Sequence, residues 1–260
     1  MTRPLKISHR FLEGDVFYSP DRLVCLDMQK KGENVCYVGN SKDDILAWYR
    51  QGGMYGLHVE EWASTQIRQQ VSEGILTDHQ RFKNYQLWLE HPTPLDASLS
   101  LSYRVFQDID IIIKIMQQYF IQHWRWTVDI ETALHELLIN SVEHGLCAMD
   151  AKTKHVLLQN DSFYEEILYR LHRPDLIQAS IDVHIHHQHA HEMIIMTLQP
   201  VGFQSISEEF LLINDHPSHD EITKPTGRGL WIAQSLAFDH IYMDPKTQII
   251  TATLLTQSRK

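Results

Sequence analysis

At 260 residues, with 43% hydrophobic and 22% charged side chains, 11 Gly and 9 Pro, the chain has room for one large domain or two modest ones and is neither collagenous nor largely disordered. Lys and Arg number 23 against 33 Asp and Glu, a formal charge of −10, so there is no whole-protein basic field, and nucleic acid and membrane are not expected partners. Cys25, Cys36 and Cys147 form no CxxC pair and read as buried, inert thiols of a reducing compartment, which gives an expected cytoplasmic address.

From the start, MTRPLKISHRFLEGD has no apolar h-region and no cleavage site of small residues, so no signal peptide is expected. RLVCLDM (22–28) and NVCYVG (34–39) read as buried strands. SKDDILAWYRQGG follows as a helix with Ser41 as N-cap and Gly52–Gly53 as its end. YGLHVEEW (55–62) reads as a third strand, and Ser64 to about His91 as one or two amphipathic helices. Strands alternating with helical segments imply a parallel sheet with crossover helices. The two prolines of HPTPLDAS (91–98) punctuate the chain and place a domain boundary there, with domains 1–95 and 96–260.

In the second domain ASLSLSYRV (97–105) alternates as a strand, and Asp108 to Gln122 has the length and period of a helix, its apolar run 109–116 too short and too charged to span a membrane. Trp124 to Gly145 reads as one further helix, with Asp129 as N-cap and Gly145 as its C′ residue. A polar connection leads to a helix around Tyr164–Leu171. IDVHIHHQ and EMIIMTLQ, separated by HAH, read as an antiparallel hairpin. A loop rich in Asp, His and Pro (214–224) precedes TGRGLWIAQSLAFDHIY, in which a glycine pair opens a helix, and ITATLLTQ (250–257) closes as a strand.

The segment ETALHELLINSVEHG (131–145) carries the most chemistry. On a helix, Glu136, Asn140 and His144 are spaced i, i+4, i+8 and form a polar stripe beside the apolar one of Ile130, Leu134, Leu137 and Leu138. An amide oxygen is a suitable hard ligand for Mg²⁺, and a carboxylate one turn earlier can take a proton from a hydroxyl. Spacing alone is equally that of a solvated helix face. GRGL (227–230) ahead of a helix would let backbone N–H groups approach a phosphate, although a plain turn looks the same.

The order of these motifs, over about 97–257, resembles the Bergerat-fold (GHKL) ATPase superfamily, most closely its anti-sigma-factor serine kinase branch. HELLINSVEHG is similar to that branch's first motif and TGRGLWIAQSLAFDHIYM to its last. LLQNDSFYEEILYRLHRPD (157–175) resembles an insertion found where such domains close multidomain bacterial regulators. The resemblance implies an α/β two-layer sandwich that binds ATP and Mg²⁺ and phosphorylates or sequesters a regulatory protein: an anti-sigma antagonist, a sigma factor or a phosphatase-like partner. It implies Asn140 as the Mg²⁺ ligand and Glu136 as the catalytic base. His144, Gly202, Gly227, Arg228 and Gly229 would complete the cofactor site, the last three on the phosphates. The middle motif departs from the pattern at LQPVGF (198–203): Leu198 stands where an aspartate reads adenine, Pro200 replaces the first glycine, and Gly202 and Phe203 remain. The loop NDHPSHDE (214–221) is acidic. These departures support a second expectation, a catalytically inactive pseudo-ATPase that acts as a protein-interaction module.

The N-terminal segment resembles, more faintly, a truncated receiver module of a response regulator. That likeness puts Asp27 at the end of a strand as phospho-acceptor, and it lacks a recognisable acidic pair and the usual lysine. The implied role is contact with a partner or with another copy, as a homodimer. Of His184, His186, His187, His189 and His191, the first two share a strand face and can meet a metal as neutral imidazoles. No Cys or carboxylate set completes a zinc site there, and the expectation is a solvent-facing, His-rich hairpin.

Overall fold

Local chemistry explains most of the N-terminal elements. In a computed structural model the described residues are 11–13, 15–90, 98–202, 229–244, 247 and 249–255. Strands β1 (Phe11–Glu13) and β2 (Val16–Ser19) pair antiparallel, and β2 runs parallel to β3 (Asn34–Gly39), which runs parallel to β4 (Gly56–His58). Helix α1 (Arg22–Lys30) crosses from β2 to β3, and α2 (Lys42–Arg50) from β3 to β4. Ser41 caps α2, its hydroxyl accepting from Asp44 N–H at 3.2 Å, as the sequence led us to expect. Beyond β4 the chain makes one short helical turn, α3 (Val59–Trp62), and then a single helix α4 (Thr65–Glu90).

RLVCLDM is a helix and not a strand. Asp21 accepts from the N–H groups of Leu23 and Val24 at 3.0 and 3.3 Å, an N-cap that outweighs the β propensity of Val24 and Cys25. Only Cys25 of α1 is buried. Asp27 therefore lies on an exposed helix face, paired with Lys31 at 2.6 Å, and not at a strand end. The strand expected there lies earlier, at VFYS.

Asn160–Gln178 belongs with this N-terminal unit, which otherwise comprises the chain up to Gln80. Its helix α8 (Phe163–Leu171) places Leu168 with Cys25, Val35, Tyr37, Ile45 and Trp48 on one face of the parallel sheet. Ile177 joins Tyr18, Cys36, Val38, Leu57 and Ile75 on the other. Both faces are covered, which is why NVCYVG is apolar throughout. Gly74 on α4 approaches Ile177 so closely that a Cβ there would lie 2.9 Å from the Ile177 carbonyl oxygen.

The second unit takes Arg81–Gln159 and the chain from Ala179 on. Its sheet is antiparallel, in the order β5-β6-β7-β9-β8: β5 (Ser98–Tyr103), β6 (Ser180–Gln188), β7 (Met193–Val201), β8 (His240–Met243) and β9 (Ile250–Leu255). The expected β6–β7 hairpin is antiparallel, and β8 is a strand that the sequence reading did not assign. Leu99, Val183, Ile185, Met196, Ala252 and Leu254 face inward, and the alternate residues are more exposed. The inner face is covered by α5 (Phe106–His123), α6 (Val128–Asn140) and α9 (Gly229–Leu236). The expected polar connection after α6 contains a helix, α7 (Ala151–Gln159). The chain is thus α/β, with a three-strand parallel arrangement in one unit and a five-stranded antiparallel sheet in the other. All three cysteines are buried, and burial pushes the Cys25 thiol up to about 12. Among the described residues no helix is long and apolar enough to cross a membrane.

Candidate functional site

Helix α6 begins at Thr127, whose hydroxyl accepts from Ile130 N–H at 3.3 Å; Asp129, expected as the cap, lies in the first turn, where its charge complements the helix dipole. Ile130, Leu134, Leu137 and Leu138 anchor the helix in the core, and Tyr103 donates to the Leu138 carbonyl at 2.9 Å. This fixes the polar edge. Glu136 is half-buried, and Asn140, one turn on, is 7% exposed.

After Asn140 the expected α-helix does not continue to Gly145. Residues Ser141–Leu146 form a π-helical turn, and Cys147 N–H reaches back five residues to the Val142 carbonyl at 2.9 Å. Such turns are rare and concentrate at functional sites. The wider turn takes His144 out of the stripe: its Nδ1 donates to the Met149 carbonyl at 2.5 Å. Burial, followed by Lys154, lowers the imidazole to about 4, against the opposing effects of Met149 and Asp150. His144 is therefore neutral, and its 3.9 Å approach to Glu143 is not an ion pair. Gly145, expected as the C′ residue, lies inside the π turn and has no positive φ.

Glu143 escaped the sequence reading, although it stands in the same motif. It is 1% exposed and ion-paired with Lys154 at 2.5 Å. Burial raises its carboxyl, Lys154 opposes this, and Glu136 raises it further, so the two carboxylates share one electrostatic environment.

The last motif meets the first at Gly229. This residue opens α9 against α6, and a Cβ on it would lie 2.0 Å from Asn140 Nδ2 and 2.6 Å from Glu136 Oε2. Only glycine fits. Asn140 Nδ2 is buried with no hydrogen-bond partner among the described residues, and an unpaired buried amide costs about 1–3 kcal/mol. Among the described residues no bond to Nδ2 fixes which way the amide points. A carboxylate, an uncommitted amide and a helix N-terminus thus converge, a donor set that suits a divalent cation with phosphate.

The middle motif is built differently. Leu198 is 1% exposed on the inner face of β7, opposite Val183 and Ile250, with no polar atom to offer a base. Gln199 is exposed on the other face, opposite Asp182. Pro200 lies beside Gly145, 3.8 Å from where a Cβ there would be, and Gly202 turns the chain at φ +74°. Gly227, Arg228, Phe203 and the loop 214–221 lie outside the described residues.

On the hairpin, His184 and His186 point to the exposed face, and His184 Nδ1 is 2.9 Å from Ser100 Oγ. His191 is exposed in the turn. His187 faces inward, where it meets His189 and His123. No protein-family model matches the chain, and no curated protein matches its sequence.

Proposed function

We propose that the C-terminal unit is a Bergerat-type Mg²⁺–ATP site of a bacterial signalling regulator. In this reading it acts as an anti-sigma-factor-type serine/threonine kinase on a regulatory protein, with the N-terminal unit serving as a contact module. The observation that carries the reading is the seating of Gly229 on Glu136 and the uncommitted amide of Asn140, motifs 89 residues apart in the chain. When bound, ATP would supply the γ-phosphoryl group with ADP as the leaving group, and Mg²⁺ would neutralise the phosphate charge. Asn140 offers the amide oxygen to the cation, and the start of α9, with Gly227 and Arg228 before it, offers N–H groups to phosphate. Glu136 takes the proton of the attacking serine hydroxyl.

Leu198 favours a second reading. An inward-facing leucine cannot accept a hydrogen bond from an adenine amino group, and the acidic sequence of 214–221 disfavours a triphosphate. On that reading the unit is a pseudo-ATPase that binds a regulatory partner without chemistry. Calorimetric titration with Mg²⁺–ATP, run beside Asn140→Ala, separates the two. Saturable binding that is lost in Asn140→Ala supports the kinase reading; no heat at millimolar nucleotide overturns it in favour of the interaction module.

A further inference from the structure

The inward face of β6 is apolar at Ile181, Val183 and Ile185, yet the next position on that face is His187, 8% exposed and with Nδ1 buried and unpartnered among the described residues. A second imidazole meets it there. His123, the last residue of α5, has Nε2 buried and unpartnered as well. His189, from the hairpin turn, completes the group: its ring centroid is 4.0 Å from that of His187 and 6.4 Å from that of His123, and the His123–His187 separation is 5.7 Å. One ring nitrogen from each of the three lies within 4.8 Å of the others. Ring packing accounts for the contacts but leaves two buried nitrogens without a bond among the described residues, which is costly for a purely structural cluster.

We propose that His123, His187 and His189 form a three-histidine site for a divalent first-row transition-metal ion, Zn²⁺ foremost, with a fourth position left to water or another ligand. Imidazole is the ligand type that suits such ions, and three of them leave one tetrahedral position open. With bonds of about 2.0–2.1 Å the ring nitrogens must close to about 3.4 Å; His189, on an exposed turn, supplies most of that movement. Tyr119 packs on the His123 ring at a centroid distance of 4.5 Å and holds it in place. The site also lies at the C-terminus of α5, where the helix dipole favours a cation.

This inference does not rest on the nucleotide reading. In the hairpin register His187 pairs with Ile194, whereas Ile181 pairs with Pro200 beside Gly145. Six residues along a strand separate the two positions by about 20 Å. The ion would tie the end of α5 to the β6–β7 turn, away from Glu136 and Asn140.

The test is Zn²⁺ titration of the untagged, metal-depleted full chain against a competing chromophoric chelator, with Co²⁺ spectra as the readout of ligand geometry. We expect one tight Zn²⁺ per chain and a four-coordinate Co²⁺ spectrum, with affinity weakened about tenfold or more in His123→Gln and in His189→Ala. The double variant His184→Ala/His186→Ala, on the opposite strand face, should bind as the unmodified chain does. Because His189 is exposed, its substitution leaves the core undisturbed, and circular dichroism checks that it does. Absence of stoichiometric binding overturns the proposal, as does binding unaffected by His189→Ala or abolished by His184→Ala/His186→Ala.

Discussion

Gly229→Ala tests the convergence of the two motifs without any ligand. The new methyl would sit 2.0 Å from Asn140 Nδ2 and 2.9 Å from Asn140 Cγ, where ordinary contact begins at 3.4 Å. Glu136 is half-buried and its carboxylate can swing aside, but Asn140 is buried, and turning its amide alone does not move Cγ. The side chain must leave its rotamer, at about 0.5–1.5 kcal/mol, or α9 must shift, an overpacking cost of about 1–3 kcal/mol. Replacing glycine in a helix returns at most about 1 kcal/mol. The expected net loss is about 1–2 kcal/mol. Asn140→Ala alone removes an amide whose buried Nδ2 has no partner among the described residues, and is expected to leave stability unchanged or raised. In that background Gly229→Ala becomes neutral or stabilising, a coupling of about 1–3 kcal/mol. Urea midpoints of the four proteins, compared at a common m-value, measure it. A coupling below about 0.5 kcal/mol would falsify the seating of Gly229 on Asn140.

A pH prediction follows from His144, lowered from 6.5 to about 4. The unfolded chain binds the proton more readily between those values, so this stability is fully present above 6.5 and is lost as pH falls, by about 3 kcal/mol at pH 4. His144→Gln should flatten that part of the urea-midpoint profile; an unchanged slope refutes the burial argument. In the N-terminal unit, Gly74→Ala should destabilise by about 1–2 kcal/mol, because the methyl meets the Ile177 backbone. Helix propensity alone predicts a gain of about 1 kcal/mol, so the sign of the change in urea midpoint decides.

Elements with local signals were legible in the sequence. Ser41 and the glycine pair delimit α2, and two β-rich apolar runs separated by the polar HAH mark the β6–β7 hairpin. Where one local signal overrides another, the reading failed: Asp21 makes a helix of residues whose composition resembles a strand. The π turn after Asn140 has no periodic signature, and its five-residue hydrogen bond moves His144 off the stripe. Gly229 was found through motif order, and its contact with Asn140 is tertiary. His123 had no signal at all, because it lies 64 residues before His187 and meets it only through the fold. The stretch 157–175 stood out as an insertion, but its destination among the N-terminal strands is a matter of packing.

That destination sets the order of events as the chain leaves the ribosome. The parallel sheet of the N-terminal unit lacks Leu168 on one face and Ile177 on the other until about residue 178 has been synthesised. By then β5, α5 and α6 have emerged, with their partner strands still to come. The early unit must wait, with apolar surface uncovered, for a segment that arrives in the middle of its neighbour, so the two units are linked in biogenesis whatever each does once folded. For the same reason a fragment that stops before residue 160 carries an unfinished N-terminal unit, and one that starts after residue 90 carries α8 without the sheet it covers.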